Sequence, residues 1–307
     1  MAFPPVPFQE WFLRQTSTGN AALNAYVARV KADGGVVEAI GCVPLAVWDW
    51  VAPVAPTLLL DLFPNAAAAY SLRKIRAAYS GSAVRVRKEV STVSSETDIG
   101  FLADGSLDTT SLLAFASDAD SGDVFVVTWY DQSLSNDATQ STAAAQPKIV
   151  SGGSLVVMGG ASKAAIEGSI SSLSLTTALT PTDFSIIHTS EGSGFVANIG
   201  EYIRISNYYR YNIDGNNYIS SDADSSQPSI YIGNRNGTTL NLRRNGSEMD
   251  SSPHTSVATA LNITTIFNRS TLYFVGKISE FIIFESNQSS NFSGIETNLN
   301  TFYSIYP

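Results

Sequence analysis

The chemistry open to this 307-residue chain rests on carboxylates, tyrosines and one Trp-Tyr-Asp-Gln run, because it holds a single cysteine and two histidines. A retaining glycosidase needs two carboxyl groups about 5–5.5 Å apart, one ionised as nucleophile and one protonated as acid. Twelve acidic residues follow position 150, from Glu167 to Glu296, and could supply such a pair. Trp129-Tyr130-Asp131-Gln132 supports two readings. Trp129 is a sugar-stacking platform with Asp131 as a hydrogen-bond acceptor, or Trp129 packs in a core and Asp131 bonds amides of its own turn. Asn207 to Tyr218 gathers four tyrosines, four asparagines and an arginine around Asp214-Gly215. Tyrosine offers rigid area plus a hydroxyl, so Tyr208, Tyr209, Arg210, Tyr211 and Tyr218 are ligand-contact candidates; cross-strand aromatic pairing is the alternative. Strand alternation sends Tyr209 and Tyr211 to one face and Tyr208 and Arg210 to the other, so one pair alone can face outward.

Metal chemistry has weaker footing. Asp118-Ala-Asp-Ser-Gly-Asp123 and Asp222-Ala-Asp224 alternate oxygen ligands but lack the EF-hand spacing and its distal Glu, and solvated acidic loops are the simpler reading. His188 and His254 are too far apart for a local metal motif, and no H-E-x-x-H, CxxC or phosphate loop occurs. No metal or cofactor is expected. Cys42 cannot close an intrachain disulfide and reads as a buried, inert thiol.

The elements that must position these groups read as mainly β. Hydrophobic residues make up 44% of the chain, enough for a core, while charged residues make up only 15%. Strands are expected at 83–88, 124–129, 148–150, 155–158, 184–188, 202–206, 229–233, 240–243, 263–267, 271–275 and 277–284, with turns at Asp214-Gly215, Asn236-Gly237 and Asn245-Gly246. Their spacing indicates a β-sandwich or jelly roll. Helices are expected over 65–79, over 109–115 behind an Asp108 cap, and at the end around Ile295, Leu299 and Phe302. Residues 1–56 differ, being rich in Pro, Trp and Ala, with two short helices before Pro44. Two such helices cannot bury Phe3, Phe8, Trp11 and Phe12 alone, so these four are docking candidates. A net charge of −9 argues against a nucleic-acid partner, although six basic residues cluster between Arg73 and Lys88, read here as outward solvated faces. The opening Met1-Ala-Phe-Pro-Pro-Val-Pro has no charged, apolar signal-peptide pattern. The most apolar stretch, 36–60, is broken by Glu38, Asp49 and three prolines, so no membrane insertion is expected.

Three segments carry a resemblance. Ala68-Ala-Tyr-Ser-Leu-Arg-Lys-Ile-Arg-Ala-Ala-Tyr-Ser-Gly-Ser-Ala-Val-Arg-Val-Arg87 and Trp129-Tyr-Asp-Gln-Ser-Leu-Ser-Asn-Asp-Ala-Thr-Gln140 resemble the catalytic domain of family 54 α-L-arabinofuranosidases. Gly276-Lys-Ile-Ser-Glu-Phe-Ile-Ile-Phe-Glu-Ser286 resembles the closing strand of concanavalin A-like, laminin-G-type jelly rolls. Similar sequences recur in phage tail and spike proteins, which Ala28 to Cys42 also resembles. The resemblance implies a jelly-roll β-sandwich over 57–307 behind a helical, Pro-rich docking segment at 1–56. It also implies a carboxylate pair in the sandwich half, but no acidic residue aligns with that pair. The family's adjacent pocket cysteines are absent, so no catalytic residue is assigned. The expected role is a phage virion structural protein, a spike, fibre or tail component at the virion surface. It would be oligomeric, joined to other virion proteins through residues 1–56 and binding a host-surface glycan or protein. An arabinofuranosidase-like hydrolase and an extracellular carbohydrate-binding adhesin are the alternatives.

Overall fold

The computed structural model describes residues 58–133, 136–159, 163–197, 202–205, 209–213, 216–219, 226–249, 254–255 and 260–307. The docking candidates Phe3, Phe8, Trp11 and Phe12, together with Cys42, Tyr208, Asp222, Asp224 and the Asp214-Gly215 turn, lie outside these residues.

The chain enters through a one-turn helix α1 (Leu59–Leu62) and strands β1 (Ala68–Ser71), β2 (Val84–Val90) and β3 (Val93–Ile99). Helix α2 (Thr109–Ala116) follows, its first turn capped by Asp108, whose carboxylate accepts from the Ser111 amide at 3.0 Å. The strands then run β4 (Val124–Trp129), β5 (Ala138–Thr139), β6 (Lys148–Ser151), β7 (Ser154–Leu155), β8 (Ile166–Gly168), β9 (Leu173–Leu179) and β10 (Phe184–Ala197). After them come β11 (Tyr202–Ile205), β12 (Tyr209–Ile213), β13 (Asn216–Ile219), β14 (Ser229–Asn236), β15 (Thr239–Arg244), β16 (Ser247–Glu248), β17 (His254–Thr255) and β18 (Ile263–Ile266). The last are β19 (Asn268–Arg269), β20 (Leu272–Phe284) and helix α3 (Phe292–Tyr303).

Two antiparallel paths join β4 to β10 and form the two layers. One runs through β6, β8 and β20, the other through β5, β9 and β18. The result is a mainly β, antiparallel jelly-roll sandwich with α3 packed outside it. Between the layers, Val126, Trp129, Leu173, Ile186, Ile266, Ile278 and Phe281 share one core. A second cluster lies on the other side of β10, β14 and β20, where Ile187, Ile230, Ile232, Ile282 and Phe284 meet Ile295, Leu299 and Tyr303 of α3. Burial on both faces explains why β20 reads Phe-Ile-Ile-Phe without polar alternation.

Two expectations need correction. The Ala-rich run at 65–79 is not a helix: Ala68–Ser71 is a strand in register with residues 280–283, and all four of its residues are buried. Ala68 and Tyr70 enter one core and Ala69 the other, so packing on β20 outweighs the alanines' helix propensity. The expected strands 271–275 and 277–284 are one strand continuing through Gly276. Strands β3 and β9 went unread because their polar residues give no apolar run.

Candidate functional site

Trp129 and Asp131 are not ligand contacts. The indole is fully enclosed, 5.8 Å from the Tyr70 ring, so no sugar can stack on it. Asp131 is 3% exposed and its Oδ1 accepts from the Ala69 amide at 2.8 Å, the Ser133 amide at 2.8 Å and the Ser133 hydroxyl at 2.7 Å. Its Oδ2 accepts from the Asn136 amide at 3.1 Å. Gln132 continues the splice: its Oε1 accepts from the Ile75 amide, while its Nε2 donates to the Ser71 and Arg73 carbonyls. The two segments carrying the glycosidase resemblance thus hold one another, and their shared residues build scaffold.

Tyr209 and Tyr211 do not face outward as ligand contacts either. At 0% and 1% exposure they fill the core, with Tyr211 stacked on Phe184 at 5.8 Å. The Tyr209 hydroxyl lies 3.0 Å from His188 Nε2 and 3.1 Å from the Tyr211 hydroxyl, and His188 Nδ1 lies 2.9 Å from the Ser190 hydroxyl. Burial lowers the His188 pKa to about 3, so the ring is neutral at pH 7. The same desolvation raises both tyrosines. Tyr218 is in register with Tyr211 on β13. Arg210 takes the opposite side of β12, half-buried and directly across from Arg204 of β11.

The basic cluster is solvated only in part: Arg76 is exposed and Arg85 half-exposed, but Arg73 and Arg87 are buried. Arg73 is buried in a two-pronged pair with Glu280, its Nε 2.9 Å from Oε2 and its Nη2 3.2 Å from Oε1, and Tyr303 of α3 donates to the same carboxylate. Arg87 is buried against Gln146, 2.7 Å from Nε to Oε1, and its Nη1 bonds Glu89. Arg85 pairs with Asp98 and Lys88 with Asp118. Asp120 accepts from the Ser91 amide. Among the described residues, no group of three or more His, Cys, Asp or Glu side chains is arranged to hold a metal.

The side chains that do converge were not singled out by their sequence. Register aligns Lys148 of β6, Glu167 of β8, Lys277 of β20 and Glu191 of β10 in one row across four adjacent strands. Ile166 and Ile278 beside them point into the core, so the row occupies the outer face. It lines a groove of about 640 Å³. Lys148 Nζ lies 2.6 Å from Asp123 Oδ2, and Lys277 Nζ lies 3.7 Å from Glu191 Oε1. Ile170 and Val275, 65% and 59% exposed, add apolar area to the same groove. Gly192 (φ +129°) and Gly276 (φ +154°) cross at its floor, where a Cβ on Gly276 would sit 2.2 Å from the Glu191 carbonyl oxygen. The glycines let β10 and β20 stay paired through a local twist. Glu167 and Glu191 are two strands apart, about 10 Å at two inter-strand spacings, wider than a retaining pair.

No protein-family profile and no curated protein matches the chain. Among solved structures, a heptameric SAP-like pentraxin from Limulus polyphemus is similar over 41% of this chain and 74% of its own, at 8% identity and TM-score 0.34. Trypanosoma rangeli sialidase with the inhibitor DANA is similar over 70% of this chain and 44% of its own, at 9% identity and TM-score 0.38. The Ruminococcus gnavus IT-sialidase CBM40 bound to alpha2,3 sialyllactose matches over 37% of this chain and 80% of its own, at 13% identity and TM-score 0.27. The chain spans less than half the length of the sialidase it matches.

Proposed function

We propose that residues 58–307 form a glycan-binding jelly roll whose site is the outer groove of β6, β8, β20 and β10. The observation that supports this most is the alternating row Lys148, Glu167, Lys277, Glu191 beside exposed Ile170 and Val275. Carboxylates and ammoniums on one face accept from and donate to sugar hydroxyls, while the aliphatic side chains meet ring C–H faces; a few polar groups on an apolar lining are the usual make-up of a small-ligand site. A binding role is also consistent with the wide spacing of Glu167 and Glu191. Together with the phage resemblance, it supports our reading of the chain as a virion spike, fibre or tail component that docks through residues 1–56 and faces the host.

Calorimetric titration of the full chain with a panel of neutral and charged oligosaccharides tests this reading. At least one should bind, and Glu167→Ala or Lys277→Ala should weaken it about tenfold with the melting temperature held. Binding that survives both substitutions unchanged places recognition outside the groove. The same protein should leave aryl arabinofuranosides intact. Turnover lost on changing Glu167 or Glu191 would establish a hydrolase instead.

A further inference from the structure

Arg204 and Arg210 are direct cross-strand partners on β11 and β12. Like charges in that position repel, and their Cβ atoms lie about 5 Å apart in such a pair. Neither guanidinium has an acidic partner among the described residues. Both Nε atoms are enclosed and make no hydrogen bond. The Arg204 guanidinium lies over the Phe195 ring, its Cζ 5.3 Å from the centroid. The inward neighbours Ile203, Ile205, Tyr209 and Tyr211 are all buried, so the two arginines share the outward side of the paired strands β11 and β12.

We propose that Arg204 and Arg210 form a clamp for one oxyanion, a carboxylate or phosphate carried by the ligand. Forked donors on neighbouring strands can each bond oxygens of one such group, and its charge removes the repulsion between them. A net charge of −9 repels an extended polyanion, which leaves a compact, singly placed anionic group as the occupant. Phe195 lies four residues along β10 from Glu191, roughly 13 Å at strand rise, so a short oligosaccharide reaches from the groove to the clamp. The inference rests on the glycan reading for the ligand's identity, but not for the existence of an anion site.

The experiment titrates the full chain with inorganic phosphate and acetate while following the arginine Nε–H resonances by NMR. Calorimetry then compares a glucuronate-containing tetrasaccharide with its carboxyl-reduced form, and glucose 6-phosphate with glucose. Two Nε–H signals should shift on titration, and one anionic probe should bind at least tenfold tighter than its neutral counterpart; which one identifies carboxylate or phosphate. Arg204→Gln and Arg210→Gln should each erase that preference while the melting temperature stays level or rises. Anionic and neutral probes binding alike, or a preference that survives both substitutions, overturns the clamp. Neutral sugars bound through Glu167 and Lys277 without an anionic preference leave the glycan reading standing alone. Simple anions bound through the arginines, with no sugar bound, leave the clamp standing alone.

Discussion

At the scale of single residues, Asp131 and His188 show two ways a buried polar group is kept. Asp131 takes four hydrogen bonds from the backbone and Ser133, so Asp131→Ala should orphan enclosed donors and cost at least about 3 kcal/mol, read as a lower urea midpoint. His188 is held neutral, with its pKa near 3 when folded against about 6.5 unfolded. Between those values the unfolded chain binds more protons. The stability due to the neutral ring is therefore complete above about pH 6.5 and is lost as pH falls towards 3, by at most about 1.4 kcal/mol per unit. Asp98, Asp104 and Asp108 are lowered by hydrogen bonds from Arg85, Ser106 and Ser111, and their contribution fades in the same direction but below about pH 4. Urea midpoints at pH 7, 5.5 and 4.5 separate the two: His188→Gln should flatten the slope in this range, and parallel slopes in parent and variant would refute the assignment.

At the scale of elements, the groove depends on how β10 and β20 cross. Gly192, Gly194 and Gly276 all take positive φ, and added Cβ atoms would meet backbone atoms of the facing strand at 2.2–2.4 Å. Backbone cannot yield as the end of a side chain can, so Gly276→Ala should cost more than the roughly 1 kcal/mol of an ordinary strained φ. Groove binding should weaken with it, and a Gly276→Ala protein with parental melting temperature and affinity would show that the crossing relaxes freely. The seating of α3 has a different cause. Arg73 and Glu280 are buried, and Tyr303 and Asn298 of α3 complete their hydrogen bonds. Arg73→Met leaves Glu280 charged and enclosed, so a loss of about 3–5 kcal/mol is expected in denaturant melts.

At the scale of the whole molecule, the described chain from Leu58 forms one compact unit with its own core. Deleting residues 1–17 should therefore leave its circular dichroism and melting unchanged while abolishing incorporation into a particle; normal incorporation of the truncated chain would remove the docking proposal. Sequence alone determined the β class, the Asp108 cap, the turn at Asn245-Gly246 and the closing helix. Each depends on neighbours a few positions away: a side-chain oxygen near free amides, a positive φ at both Asn245 and Gly246, or an apolar stripe at helical spacing. Alternation along β12 likewise predicted that Tyr209 and Arg210 part company, but which of them faces the core was settled by Phe184, His188 and Tyr231 packing on the tyrosines. Only the tertiary structure turned Ala68–Ser71 into a strand and Trp129-Tyr-Asp-Gln into a splice. It alone placed Lys148, Glu167, Lys277 and Glu191 in one row and Arg204 across from Arg210. Those juxtapositions are matters of strand register, and a slip of one residue would send every one of these side chains to the other face. Register is set by burying the whole core at once, so no local window of sequence contains it.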